Sequence, residues 1–133
     1  MRPDALKSYT LESALSKMLK EYSDISHIKI DFNYEWGDAN FQKTTENIIF
    51  RVIEETVTNS LRHGHATKIW IKCTSNNSSY ILSIHNNGKS ETHIKPGYGI
   101  TQMRERLTII NGTVEFDGKK GFTTVVKFPK VGV

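Results

Sequence analysis

The run Phe50-Arg-Val-Ile-Glu-Glu-Thr-Val-Thr-Asn-Ser-Leu-Arg-His-Gly64 constrains this chain more than any other segment. It has the period of a single helix, in which Ile49, Ile53, Val57 and Leu61 form a stripe spaced to bury against a sheet. On the opposite side Glu55, Asn59, Arg62 and His63 project together, because residues three and four apart stand one turn above another. Solvated helix faces are usually filled with Lys and Glu, whereas Asn is a poor helix former that competes for backbone hydrogen bonds. A carboxylate, an amide, a guanidinium and an imidazole on one face therefore point to a metal or phosphate site, or to a polar interface.

The flanking segments set the architecture. Leu11, Leu15, Met18, Leu19 and Tyr22 predict a helix from about Thr10 to Tyr22, and Ile28, Ile30, Phe32 and Tyr34 alternate as a half-buried strand does. The stretch Glu35-Trp-Gly-Asp38 reads as a turn, followed by the long helix from about Phe41 to His63. Strands near 68–73 and 80–85 flank an Asn76-Asn77-Ser78 turn, and a polar loop spans Asn86 to Gly97. A helix from about Gly99 to Ile110 and strands near 113–116 and 123–128 complete the order α-β-α-β-β-α-β-β. That order predicts an α+β fold: a two-layer α/β sandwich with three helices on one face of a mixed five-stranded sheet, one domain over residues 1–133.

Composition excludes several function classes. No apolar run approaches the roughly 20 residues of a membrane span, and no signal-peptide pattern opens the chain. The single cysteine, Cys73, forms no internal disulfide and reads as a small core residue of the alternating strand Lys68-Ile-Trp-Ile-Lys-Cys73. A net charge of +4 with scattered Lys and Arg gives no nucleic-acid footprint, although it suits an anionic ligand. His63, His65, His85 and His93 match no spacing of a zinc ligand set.

Two loop segments carry further chemistry. Ser83-Ile-His-Asn-Asn-Gly88 ends a strand in two amides and a glycine, and Pro96-Gly-Tyr-Gly-Ile100 opens a helix with two glycines. Glycines there let the backbone approach a ligand, and free amides with the helix dipole favour phosphate. Either segment alone is ordinary turn chemistry. Their order, after a polar-faced helix and before a Met-Arg-Glu-Arg helix, is more specific.

From about residue 40 to Pro129 the chain resembles the ATP-binding domain of the GHKL superfamily, shared by sensor histidine kinases, gyrase-type ATPases, chaperone ATPases and mismatch-repair ATPases. Glu55-x-x-x-Asn59-x-x-Arg62-His63 is similar to its N box, Ile84-His-Asn86-Asn87-Gly88 to its first glycine box, and Gly97-Tyr-Gly99-Ile100-x-x-Met103-Arg-Glu-Arg106 to its second. Gly121-Phe-Thr123-Thr124-Val resembles the closing strand, and Gly-Ile-x-x-Met-Arg-Glu-Arg resembles the kinases paired with LuxR-type response regulators. The fold implied is of the Bergerat type.

The resemblance implies roles. Asn59 would hold a Mg²⁺ on the phosphates of ATP, and Glu55 would polarise the attacking nucleophile or hold a metal-bound water. Arg62 or His63 would offset phosphate charge. Gly97, Gly99 and Ile100 would line the phosphate end, and Asn86, Gly88 and Thr123 the adenine end. The bland alternatives are a solvated Glu55, an Asn59 that links helix to loop in the interior, an Arg62 paired with Glu54 or Glu55, and a His63 that complements the helix dipole. Two departures stand out. Asn86 replaces the family's Asp, trading a charge-assisted bond for a neutral one at a cost of roughly 1 kcal/mol. Ser90 replaces a glycine in a short loop where Lys89 or Lys95 would reach the phosphates.

The implied activity is Mg²⁺-dependent phosphoryl transfer from ATP to a histidine on a separate dimerisation domain, and indirectly to a LuxR-type response regulator. Residues 1–10 resemble the hinge after that domain, so the chain is expected to be a monomeric catalytic fragment, inactive in transfer alone. Its expected setting is the cytoplasmic portion of a sensor that is membrane-anchored or free. The alternatives are an anti-sigma-type serine kinase of the same fold and a degenerate nucleotide-sensing or docking module.

Overall fold

The computed structural model describes residues 10–37, 39–63, 65–88 and 98–130. Helix α1 (Leu11–Ser26) starts at Thr10, whose side chain accepts the Ser13 backbone N–H at 3.1 Å, a standard N-cap. It runs a turn beyond the Tyr22 expected from apolar periodicity, because its last turn is mostly polar and only the left-handed His27 (φ 55°) ends it. Strand β1 (Lys29–Tyr34) follows, then α2 (Lys43–His63), β2 (Lys68–Ser75), β3 (Ser79–Asn86), α3 (Tyr98–Thr108), β4 (Thr113–Asp117) and β5 (Phe122–Pro129).

The five strands form one sheet in the order β1-β2-β3-β5-β4. β1 and β2 are parallel, as a crossover through α2 requires, and the other pairs are antiparallel. The β2–β3 hairpin closes on Asn76, whose side-chain oxygen accepts from the Ser78 and Ser79 backbones. Three helices pack on the inward side of this mixed sheet, the two-layer α+β sandwich expected from the element order. Ile69, Ile71, Cys73, Leu82, Ile84, Val126 and Phe128 face the helices, meeting Leu15, Val52, Ile53, Val57 and Leu107 in one core. Among the described residues no helix is long and apolar enough to cross a membrane.

The segment read as a turn contributes a core anchor. Trp36 is 2% exposed, lies edge-on to Tyr34, Phe41, Tyr80 and Phe128, and donates its indole N–H to the Thr74 carbonyl at 2.5 Å. Phe41 packs there as a lead-in residue, so α2 begins at Lys43 and not at Phe41.

Cys73 is fully buried, and burial pushes its thiol from an ordinary 9.0 up to about 12. Its protonated form belongs to the folded state. The linked stability is therefore complete below pH 9.0 and is lost as pH rises towards 12, where the unfolded chain releases the proton. Burial pushes the Tyr34 hydroxyl upward too. Urea denaturation from pH 8 to 11 should show falling stability, and Cys73→Ala should flatten part of that slope.

Candidate functional site

The inward arc of α2 is turned towards the polar face. Val52, Thr56 and Ser60 are buried beside Ile49, Ile53 and Val57, whereas Leu61 is only partly buried. Thr56 and Ser60 are accommodated by donating to helix carbonyls one turn back, at Val52 and Thr56 respectively. Next to this arc stands Glu55, with its carboxylate about a quarter exposed, and one turn further on is the exposed Asn59. Asn59 is thus no buried link between helix and loop. Arg62 and His63 are exposed in the last turn, where positive charge complements the helix dipole.

The cation at Glu55 comes from a different element. Arg106 of α3 donates to the Glu55 carboxylate at 2.5 Å, both side chains being partly buried, and Arg51 stands 3.9 Å from the same carboxylate. Arg62 takes no part in these pairs. Gly99 and Ile100 lie in the first turn of α3, Met103 is buried beneath it, and Arg106 follows one turn on. Gly97, Ser90, Lys89 and Lys95 lie outside the described residues, as do His93 and the hinge-like residues 1–9.

The two asparagines ending β3 have different tasks. Asn87 is a clamp: its side-chain oxygen accepts from the Thr67 and Lys68 backbones, and its amide donates to the Thr67 hydroxyl. Asn86 turns inward and is 3% exposed. Its amide nitrogen donates to the Ser60 hydroxyl at 2.9 Å, and its oxygen accepts the Gly88 backbone N–H at 2.8 Å. The polar side of α2 is therefore tied to the end of β3 through Ser60 and to the last turn of α3 through Arg106, one connected edge of the sandwich.

Thr123 does not join it. In antiparallel register Thr123 lies opposite His85 and Asn86 opposite Phe122, so Thr123 is on the outer sheet face, hydrogen-bonded to His85 at 2.7 Å. Its neighbour Thr124 faces the helices, 1% exposed, and its hydroxyl has no partner among the described residues. Among the same residues no group of three His, Cys, Asp or Glu side chains is placed to hold a metal ion.

No profile of a known protein family matches the chain. It is 28% identical over 130 residues to the sensor histidine kinase LiaS of Bacillus subtilis, covering 96% of this chain and 36% of that protein. It is 26% identical over 134 residues to the histidine-protein kinase/phosphatase DegS of Brevibacillus brevis, covering 97% of this chain and 35% of the relative. In fold it matches the nucleotide-free catalytic domain of the histidine kinase ThkA with a TM-score of 0.71 at 18% identity, covering 90% of each chain. The histidine kinase domain of a blue-light activated kinase from Erythrobacter litoralis matches with a TM-score of 0.77 at 14% identity, over 90% of this chain and 60% of that one. In sequence the chain is similar to the catalytic part of histidine kinases, and in fold it matches their catalytic domains. The chain spans about a third of the length of the curated relatives it matches.

Gly121 shows why the segment leading into β5 begins with glycine. Its φ is +69°, and a Cβ there would run into the carbonyl oxygen of Asn86. Left-handed backbone costs a residue with a side chain about 1–2 kcal/mol, and the collision adds to it. Gly121→Ala should therefore lose at least about 2 kcal/mol in urea denaturation. An unchanged midpoint would show that β5 can move off Asn86 freely.

Proposed function

We propose that this domain is the ATP-binding catalytic domain of a two-component sensor histidine kinase. It would transfer the terminal phosphoryl group of Mg²⁺-bound ATP to a histidine on a separate dimerisation domain. The observation that supports this best is the connected edge: Glu55 and Asn59 on α2, inward Asn86 tied to the same helix through Ser60, and α3 tied to Glu55 through Arg106.

The exposed Asn59 amide beside the Glu55 carboxylate offers hard oxygen atoms of the type Mg²⁺ takes, so the residues present suit that ion. Asn59 would hold it, and the bound ion supplies charge neutralisation on the phosphates. Glu55 would accept or orient the proton of the attacking imidazole, and Arg106 holds its carboxylate in place by a hydrogen bond. Gly99 and Ile100 in the first turn of α3, together with Gly97 before it in the sequence, would offer backbone N–H groups to the phosphates, with Arg62 or His63 balancing charge. Asn86, Gly88 and Thr124, in place of Thr123, would take the base. Transfer then rests on alignment and charge stabilisation. The Met-Arg-Glu-Arg helix supports assignment to the kinases paired with LuxR-type regulators.

A second reading is a nucleotide-sensing module without transfer, favoured by Asn86 and by the engagement of Glu55 with Arg106. Incubation with γ-labelled ATP, Mg²⁺ and the helical dimerisation domain of a relative separates the two. Label on the helical domain supports the kinase. ATP binding without transfer supports the module, and no binding at all contradicts both.

A further inference from the structure

The amide that stands at position 86 has one orientation available to it. The Gly88 backbone nitrogen, 2.8 Å away, is a donor only, so the Asn86 atom facing it is the oxygen. The amide nitrogen then faces the Ser60 hydroxyl and must donate to it. Ser60 can accept, because its own proton goes to the Thr56 carbonyl at 2.9 Å. Each donor in this chain meets an acceptor, and reversing Asn86 would set two donors against each other at Gly88. All of it is buried: Thr56 and Ser60 are each 6% exposed and Asn86 3%. A mispaired alternative is costly there, since water does not repair it.

An amide so fixed retains one lone pair on its oxygen and one N–H on its nitrogen. That pattern complements an exocyclic amine next to a ring acceptor, and opposes a carbonyl next to a ring N–H. An aspartate would offer the oxygen without the N–H. The geometry points to Ser60 as a specificity-determining residue: through Asn86 it makes the base site selective for a 6-amino purine nucleotide over its 6-oxo counterpart. This rests on the reading of the connected edge as a nucleotide site. The replacement of a carboxylate by Asn86 is then a change in how the base is read, with selectivity retained.

Calorimetric titration of the whole chain with ATP and with inosine triphosphate, which differ at the 6-position, tests this. ATP should bind at least about tenfold more tightly, the ratio that one mispaired buried polar group produces. Ser60→Ala should lower the ratio at least about threefold, whereas in the Asn86→Asp background, where no amide needs orienting, it should leave the ratio unchanged. A merely structural serine would weaken both nucleotides equally. Equal affinities of wild type for the two nucleotides overturn the proposal alone, and binding of neither overturns the nucleotide reading together with it. Nitrogen-edited NMR of the nucleotide-free chain checks the network independently. The Asn86 side-chain amide should exchange slowly with water and shift in Ser60→Ala; fast exchange overturns the proposal.

Discussion

Glu55→Gln is expected to lower phosphoryl transfer to the supplied dimerisation domain by about 100- to 10,000-fold, the contribution of a positioned general base. ATP affinity should change no more than a few-fold. The substitution keeps the side chain's length and its place beside Asn59, and it removes only the charge and the basic oxygen. Arg106 loses a carboxylate held at 2.5 Å, so the α2–α3 contact weakens while both residues stay at the surface edge of the core. A polarising role affects the rate, whereas a structural tie would affect melting. Single-turnover transfer under saturating Mg²⁺-ATP, with thermal denaturation alongside, separates them. Transfer within threefold of wild type, or a loss matched by unfolding, would remove Glu55 from the chemistry.

Trp36→Ala is expected to destabilise the fold by about 3–5 kcal/mol, the range for truncating a buried large aromatic. Whole domains are stable by only about 5–15 kcal/mol, so this one residue accounts for a large share. Its ring meets four other aromatic rings, with centroids 5.5 to 5.8 Å apart, that come from β1, β3, β5 and the lead-in to α2. Truncation opens a cavity in that cluster and also strands the Thr74 carbonyl that accepts the indole N–H. Trp36→Phe, which keeps a ring and loses the N–H, should cost less than half as much. Urea midpoints at constant slope give both values. A loss below about 1 kcal/mol for the alanine variant would mean that Phe41 and Tyr80 close over the gap.

Trp36 also shows where sequence reading stops. Periodicity found the helices and strands of the described residues, because buried faces repeat along an element, but Glu35-Trp-Gly-Asp38 has no period. The tryptophan's burial is decided by Tyr80 and Phe128, which the sheet brings from far along the chain. Arg106 was visible only as part of a motif, since its partner lies 51 positions away. Thr56 and Ser60 lie outside the apolar stripe that the sequence displays, and only the packing of α2 on β3 shows that a serine one residue from Asn59 supports Asn86 from within. Which of two adjacent threonines faces inward depends on the β3–β5 register, and no local pattern reports it. The positions of Glu55, Asn59, Arg62 and His63 on one helix side were legible in full, because helix geometry alone sets them.

Calorimetric titration decides whether Asn59 builds a Mg²⁺-dependent nucleotide site. Wild type and Asn59→Ala would be titrated with a non-hydrolysable ATP analogue, with and without Mg²⁺. Wild-type binding is expected in the micromolar to low-millimolar range with a requirement for Mg²⁺, and Asn59→Ala is expected to lose that requirement together with at least about tenfold affinity. Wild-type binding that is indifferent to both Mg²⁺ and Asn59, or no binding at several millimolar analogue, would contradict it.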